Sequence, residues 1–208
     1  LRALPPFCLA GARADDVAVS HNAGLRVVAD GFLHRARLRA LVLRGNPTLV
    51  GIGGGSPAAV THGATFELLS GLRALPRDLL QACCLARECV VRCNRELRQV
   101  AAEGPLRVAG RLAVCANGAL TEVCGGELAC APGAAVHVAA NPRMSCVAGR
   151  ISGLPDLTVA RCPLLERLEK DASLPLCCVR LRLVDNSGLR EWPRNLALHG
   201  GRGAASMV

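Results

Sequence analysis

The sequence predicts an α/β repeat solenoid, in which short strands stack into a parallel sheet and irregular or short helical segments return the chain. One frame of apolar residues recurs along all 208 residues, and asparagine occupies the same place in most copies. Half of the residues (51%) are apolar although only 2% are aromatic, so the chain is not disordered as a whole. Because each turn of a solenoid contacts only its neighbours, Leu, Val, Ala and Cys can fill such a thin core without rings.

The recurring frame is hydrophobic, any, hydrophobic, two residues, Asn, two residues, hydrophobic, two residues, hydrophobic. Six copies carry Asn at the sixth position, one has Cys162 there, and a degenerate copy has Leu69. A period near 24 residues is the signature of a repeat architecture. The eight copies begin at Val17, Leu41, Ala64, Cys89, Leu112, Val136, Leu157 and Leu181.

Each element of the repeat follows from this frame. Hydrophobic residues two apart, such as Leu41 and Leu43, place both side chains on one face of a short strand. Such a strand is too short to be stable alone, so neighbouring copies must pair it into a sheet. The amide that follows can bond backbone groups where the chain turns, which predicts a structural ladder. Its members are Asn22, Asn46, Asn94, Asn117, Asn141, Cys162 and Asn186.

The return segments also repeat. Phe32-Leu33 and Leu79-Leu80 fall at equivalent places, and each pair is followed by a small residue, Ala36 or Cys83. The apolar spacing after Pro76 predicts a helix over Asp78 to Ala86. Elsewhere the Gly and Pro content favours irregular turns.

The segment Leu38 to Asn46, LRALVLRGN, resembles the signature LxxLxLxxN/CxL of the leucine-rich repeat superfamily, although the next leucine follows Asn by three residues instead of two. The segment Ala29 to Ala36 also resembles repeats of bacterial and protozoan surface proteins. The resemblance implies a horseshoe of irregular Asn/Cys-type repeats with strands on its concave side. It also implies that protein partners bind the concave face.

The frame divides the chain into two parts. Residues 1–199 are predicted to form the solenoid, of about eight repeats, which starts in mid-repeat and belongs to a longer array. Residues 200–208 are predicted to form a Gly-rich flexible tail. No stretch has the length and apolarity of a transmembrane helix.

The sequence gives no indication of catalysis, and we expect a non-enzymatic protein without cofactor or metal. The Gly-rich segment Gly51 to Ser56 lacks the Gly-Lys-Ser/Thr of a phosphate loop. No Cys-x-x-Cys pair occurs, and Cys83 and Cys89 fall on predicted core positions. The absence of an Asn-x-Ser/Thr acceptor slightly favours an intracellular location, but the compartment stays open.

Function is expected on the second, fourth and fifth positions of each copy, which should point away from the core. This face should be polar and basic near Arg44 and Arg92 and small and apolar from Cys115 to Ala160, and the net charge of the chain is +9. We expect a scaffold or structural subunit that binds an acidic protein partner on this face. The candidate contact residues are Arg44, Arg92, Arg161, Arg182, His21 and His137.

Two alternatives remain open at this stage. The charge also suits a basic RNA-associated subunit of a ribonucleoprotein. The repeats would equally serve as the substrate-recognition segment of a larger enzyme such as a ubiquitin ligase. A surface that is simply solvated is about as compatible with the sequence.

Overall fold

The computed structural model describes residues 1–101, 104–153, 155–171, 173, 175–192, 196–198 and 205–207. In this part of the chain, the backbone winds through about eight turns of a parallel β-solenoid, with 23 or 24 residues separating most paired strands. The strands are β1 Ala3–Leu4, β2 Arg13–Ser20, β3 Val27–Val28, β4 Arg37–Arg44, β5 Gly51–Ile52, β6 Ala59–Glu67, β7 Glu88–Arg92, β8 Gln99–Ala101, β9 Leu106–Val108, β10 Arg111–Cys115, β11 Glu122–Cys130, β12 Ala135–Ala139, β13 Cys146–Gly153, β14 Asp156–Ala160, β15 Arg167–Glu169, β16 Leu176–Cys178, β17 Arg180–Val184, β18 Leu196–Leu198 and β19 Ala205–Met207.

One side of the solenoid is a parallel sheet of nine strands, which we call the main sheet. Its order is β2-β4-β6-β7-β10-β12-β14-β17-β19. The first residue of every frame copy pairs with the first residue of the next, so Val17 lies beside Leu41 and Leu41 beside Ala64. The same register continues to Leu181. The predicted phase is therefore confirmed, including the degenerate copy at Ala64.

The prediction of an α/β fold is wrong, because the return segments are also mainly strands. β1, β3 and β5 form one small sheet, and β8, β9, β11, β13 and β15 form another. Their buried residues alternate, as with Leu106 and Val108 in β9 or Leu128 and Cys130 in β11. Alternation of this kind buries one face of a strand, and each stacked return segment finds a parallel partner in the next turn. The fold is a nearly all-β solenoid.

The described residues contain one helix, α1, at Arg77–Cys84. It begins after Pro76 and buries Leu79, Leu80, Cys83 and Cys84 against the sheets. This is the helix that the spacing predicts, displaced by one residue at its start and two at its end. It occurs where the chain offers consecutive apolar residues at helical spacing rather than alternation.

The core is one continuous apolar column inside the solenoid. The ninth frame position is fully buried in seven copies, from Leu25 through Leu165. Phe66 is the only aromatic side chain that is fully buried among the described residues, and Phe32 belongs to the same core at 6% exposure. The return-segment residues Leu33, Ala36 and Cys83 pack into the same column.

The predicted tail over residues 200–208 lies mostly outside the described residues. Within it, Ala205–Met207 forms β19 and pairs with β17 in the register of a further turn. Leu196–Leu198 pairs with β16 in a two-stranded sheet. The boundary between solenoid and tail therefore stays a prediction.

Candidate functional site

The outward face of the main sheet carries the predicted contact residues, and we call it the outer face. It is built from the second, fourth and fifth positions of each frame copy, whose side chains point away from the core. Most of these residues are exposed or half-buried, whereas the first and third positions are buried in nearly every copy.

Every copy turns at its fifth position in the left-handed backbone conformation. The φ angles there lie between 53° and 63°. Seven of the eight residues are not glycine, and the conformation costs each of them about 1–2 kcal/mol. The sequence showed only mixed residue types at this position, so this regular corner was not predicted. The residues are His21, Gly45, Leu68, Cys93, Ala116, Ala140, Arg161 and Asp185.

The ladder residues directly after this corner connect consecutive turns. Asn117 Oδ1 accepts from the backbone N–H and the side-chain amide of Asn94, each at 3.1 Å. Asn117 Nδ2 donates to the Val91 carbonyl at 3.1 Å, and its backbone N–H donates to Asn141 Oδ1 at 2.9 Å. The Asn117 side chain also donates from Nδ2 to Asn141 Oδ1 at 3.3 Å and therefore joins three turns, which offsets the strain of the corner before it.

The remaining ladder positions follow the same pattern with local changes. Asn46 Oδ1 accepts from the Asn22 N–H, and Asn186 Oδ1 accepts from the Cys162 N–H. Leu69 is fully buried and its N–H donates to Asn94 Oδ1, but its own side chain offers no acceptor to the preceding turn. The ladder is interrupted at that rung.

Arg44 and Arg92 lie on the outer face but share a carboxylate. Glu67 stands between them on β6, with its side chain only 9% exposed. Its oxygens lie 3.3 Å from Arg44 Nε and 3.1 Å from Arg92 Nε. The hydrogen bond to Glu67 raises the pKa of the Arg92 guanidinium above its ordinary value. Two of the candidate anchors are thus held within the protein.

Arg161 and Arg182 have no such partner. Both are exposed, and neither forms an ion pair with a carboxylate of the described residues. Arg182 lies on β17 at the second position of its frame copy, and Arg161 lies at the corner after β14. On the part of this face that the structure describes, these two guanidinium groups are free to meet an anion.

The two candidate histidines have different surroundings. His21 is exposed, and its ring lies so close to Gly45 that a Cβ added there would be 2.7 Å from His21 Nδ1. His137 is half-buried on β12, at the second position of its frame copy. Burial lowers the pKa of His137, and the positive charges of Arg111 and Arg161 lower it further. His137 is therefore neutral at neutral pH.

Small side chains make the centre of the outer face smooth. Ala113 and Ala139 are buried at 6% and 3% exposure, and Cys115 is half-buried beside them. Burial raises the pKa of Cys115, so the thiol is protonated at neutral pH. This part of the sheet can be approached closely by another backbone but offers no activated nucleophile.

Three of the four residues of the dense cysteine group lie in the solenoid core. Cys83, Cys84 and Cys89 are buried, as predicted for Cys83 and Cys89 from their positions. A hydrogen bond with Cys89 and burial raise the pKa of Cys84. Among the described residues, no three His, Cys, Asp or Glu side chains are grouped so that they could hold a metal ion.

Two buried carboxylates lie on the return side, and their surroundings differ. Glu122 contacts Lys170 Nζ and accepts from Gln99 Nε2 at 2.6 Å. Glu169 accepts from the Ile151 N–H at 2.5 Å and has no ion pair among the described residues. Burial raises the pKa of Glu169, although the Ile151 hydrogen bond and Arg150 oppose the shift.

We expect the Glu169→Gln variant to be more stable than the wild type at neutral pH. A carboxyl whose folded pKa is raised contributes stability below its unfolded pKa and loses it as pH rises through the folded pKa. The amide of the variant keeps an oxygen that accepts from the Ile151 N–H. Because it does not ionise, the variant does not lose stability as the pH rises through the folded pKa of Glu169. Urea unfolding of the variant and the wild type at about pH 4 and about pH 7 would measure this difference in the free energy of unfolding.

The Glu122→Gln variant is the matched control, because it breaks the contact with Lys170. It should lower the free energy of unfolding at neutral pH. A loss of stability in Glu169→Gln at neutral pH would contradict the expected destabilisation by the Glu169 charge.

The fold and this face define the chain as a β-solenoid repeat protein. No helix of the described residues is long and apolar enough to span a membrane. No family model, no curated protein and no solved structure matches the chain.

Proposed function

We propose that this protein is a non-enzymatic binding scaffold whose outer face captures an acidic segment of a protein partner. The observation that carries the proposal is the free pair Arg161 and Arg182 beside the smooth centre of the sheet. Guanidinium groups bind carboxylates through paired hydrogen bonds and are enriched at protein interfaces. Arg44 and Arg92 set the opposite border of the face and remain bound to Glu67.

The dimensions of the face suit an extended segment. β7, which bears Arg92, and β14, which precedes Arg161, are three strand steps apart, or about 14 Å at the usual spacing of parallel strands. An extended chain rises about 3.3 Å per residue, so a short peptide covers this distance. Ala113, Cys115 and Ala139 leave room for its backbone.

We propose as well that the repeats are related to leucine-rich repeats, with the outer face in the place of the concave surface. The match over Leu38 to Asn46 supports this relation, and so does the amide ladder. The strands on the return side depart from the helical segments that the resemblance implies. Protein binding would be the expected use of such a face.

The proposal is tested with a fluorescent peptide of alternating glutamate and alanine and the charge-reversed variant Arg161→Glu/Arg182→Glu. We expect the dissociation constant of the peptide for this variant to exceed that for the wild type by about tenfold or more, as measured by fluorescence anisotropy at low salt. The reason is that attraction becomes repulsion at both arginine positions. Arg26→Glu/Arg190→Glu is the control, since it changes net charge equally at exposed turn residues outside the outer face.

Three outcomes would overturn the proposal. One is unchanged peptide binding in Arg161→Glu/Arg182→Glu, and another is an equal loss in both variants, which would reduce the effect to net charge. The third is tighter binding of single-stranded RNA than of the peptide, with the steep salt dependence of counterion release. Charge reversal at Arg44 and Arg92 is unsuitable, because it surrounds the buried Glu67 with carboxylates.

A further inference from the structure

A cleft opens on the edge of the solenoid, at the turns that follow the ladder asparagines of three consecutive repeats. Its volume is about 530 Å³, within the usual range of small-molecule sites. A smaller hollow of about 210 Å³ adjoins it and shares Glu96, Ala119 and Arg143. The cleft is lined by Glu96, Arg98, Gln99, Ala119, Thr121 and Arg143, and the hollow adds Arg95 and Gly118.

The cleft exists because the middle repeat has small residues where its neighbours have long ones. Its turn after Asn117 is Gly118–Ala119, whereas the turns on either side are Arg95–Glu96 and Pro142–Arg143. The Gly118 position is also tight, since a Cβ there would lie 3.3 Å from the Arg95 carbonyl oxygen. The three turns therefore enclose a notch instead of a continuous ridge.

The walls of the notch are fixed by hydrogen bonds between turns. The Thr121 hydroxyl donates to the Arg98 carbonyl at 3.2 Å, and the Thr121 N–H donates to the same carbonyl at 3.0 Å. Gln99 is held by its bond to Glu122. The backbone that carries Arg98 is thus anchored to the next repeat, while its guanidinium group stays available.

The charge of the cleft is strongly positive. Arg98 and Arg143 line the cleft and Arg95 lines the adjoining hollow, and Glu96 is the single acidic lining residue among those that the structure describes. None of the three arginines forms an ion pair with a carboxylate of the described residues. Other exposed arginines of the solenoid, such as Arg111 and Arg180, do have carboxylate partners on the adjacent strand.

We propose that this cleft binds a compact polyanion that carries two or more phosphoryl groups. Guanidinium forks match phosphoryl oxygens in charge and geometry. Arg95 and Arg143 belong to turns two steps apart, or about 10 Å at the spacing of stacked parallel strands, so a ligand with two anionic groups can reach both. Of the described residues that line the cleft, Ala119 is the only apolar one, and none carries an aromatic ring for stacking.

The first test is titration calorimetry of the full chain with inorganic pyrophosphate, orthophosphate and citrate. We expect pyrophosphate to bind more tightly than orthophosphate, and citrate to bind more weakly than pyrophosphate. The Arg98→Gln/Arg143→Gln variant should weaken pyrophosphate binding by about tenfold or more. The Arg26→Gln/Arg190→Gln control should retain wild-type affinity despite the same loss of charge.

The second test blocks the cleft without changing any charge. In Ala119→Leu, a bulky side chain enters the notch; the equivalent position of another repeat is Leu164, which is exposed, so the fold can accept it. We expect loss of pyrophosphate binding with a midpoint of thermal unfolding close to that of the wild type. Unchanged binding in Ala119→Leu or in Arg98→Gln/Arg143→Gln would overturn the proposal, and so would citrate binding as tight as pyrophosphate binding.

The proposals for the cleft and for the outer face can be tested independently. Arg161→Glu/Arg182→Glu should leave pyrophosphate binding intact, because neither residue lines the cleft. Ala119→Leu should likewise leave acidic-peptide binding intact. A variant that abolished both would show a general effect of charge or folding and would contradict the assignment of two sites.

Discussion

Asn117→Ala should lower the free energy of unfolding by about 2–5 kcal/mol. The substitution removes the acceptor of the buried Asn94 N–H and the donor to the Val91 carbonyl. Each buried polar group left without a partner costs about 1–3 kcal/mol. Urea unfolding followed by circular dichroism would measure the loss.

Asn22→Ala is the matched control at the first rung of the same ladder. Asn22 is partly exposed, and its amide donates to Ser20 and Asn46, but no group of the described residues donates to its side-chain oxygen. We expect a cost below about 1 kcal/mol. Equal costs at Asn117 and Asn22 would show that the ladder does not stabilise the stack through these bonds.

Gly153→Ala should also be strongly destabilising, by about 2–5 kcal/mol. Gly153 has a φ of +87°, which a residue with a Cβ adopts only at a cost of about 1–2 kcal/mol. In addition, the new Cβ would overlap the carbonyl oxygen of Cys130 in the adjacent turn. That atom belongs to the backbone of a neighbouring strand, so relief requires the turns to separate.

Gly133→Ala separates the two causes. Gly133 has a φ of +81°, but a Cβ there would meet no heavy atom within 4 Å. It should therefore cost only the backbone strain of about 1–2 kcal/mol. If the two alanine variants unfolded at the same urea concentration, the steric overlap with Cys130 would not contribute to the loss of stability in Gly153→Ala.

Several features of the fold could be predicted from local pattern alone. The frame located every strand of the main sheet from β2 to β17 and its register, because apolar residues two apart must face the same core. It also located the degenerate copy, where Leu69 replaces Asn but Phe66 and Leu72 remain buried. The helix after Pro76 was predicted for the same reason, from a change of period.

The return side could not be predicted, because its alternation is short and interrupted. In β11 the pairing with β13 shifts register between Cys124 and Glu127, where two glycines occur. Such a bulge hides the period of two from a reading of the sequence. Only stacking of whole turns supplies each of these segments with a hydrogen-bonded neighbour.

The candidate site was predicted as a set of positions, but its electrostatics depended on neighbours in the stack. The sequence placed Arg44 and Arg92 on the outer face, and also Glu67, but it did not pair their charges. Adjacent strands bring residues 23 to 25 positions apart within hydrogen-bond distance. This proximity pairs Arg44 and Arg92 with Glu67. Arg161 and Arg182 have no carboxylate partner among the described residues.

The repeat, its phase and the residues that face the core can be derived from the amino-acid sequence, since they follow from the spacing of apolar side chains along one strand. The strands of the return side, the left-handed corner of each turn, the sharing of Glu67 and the cleft beside Ala119 became apparent only in the folded stack. Those features arise between turns, because they depend on the size and charge of residues that lie about 24 positions apart in the sequence and contact each other in the stack. A pattern read along the chain determines the turn, and contacts across the stack determine its surface.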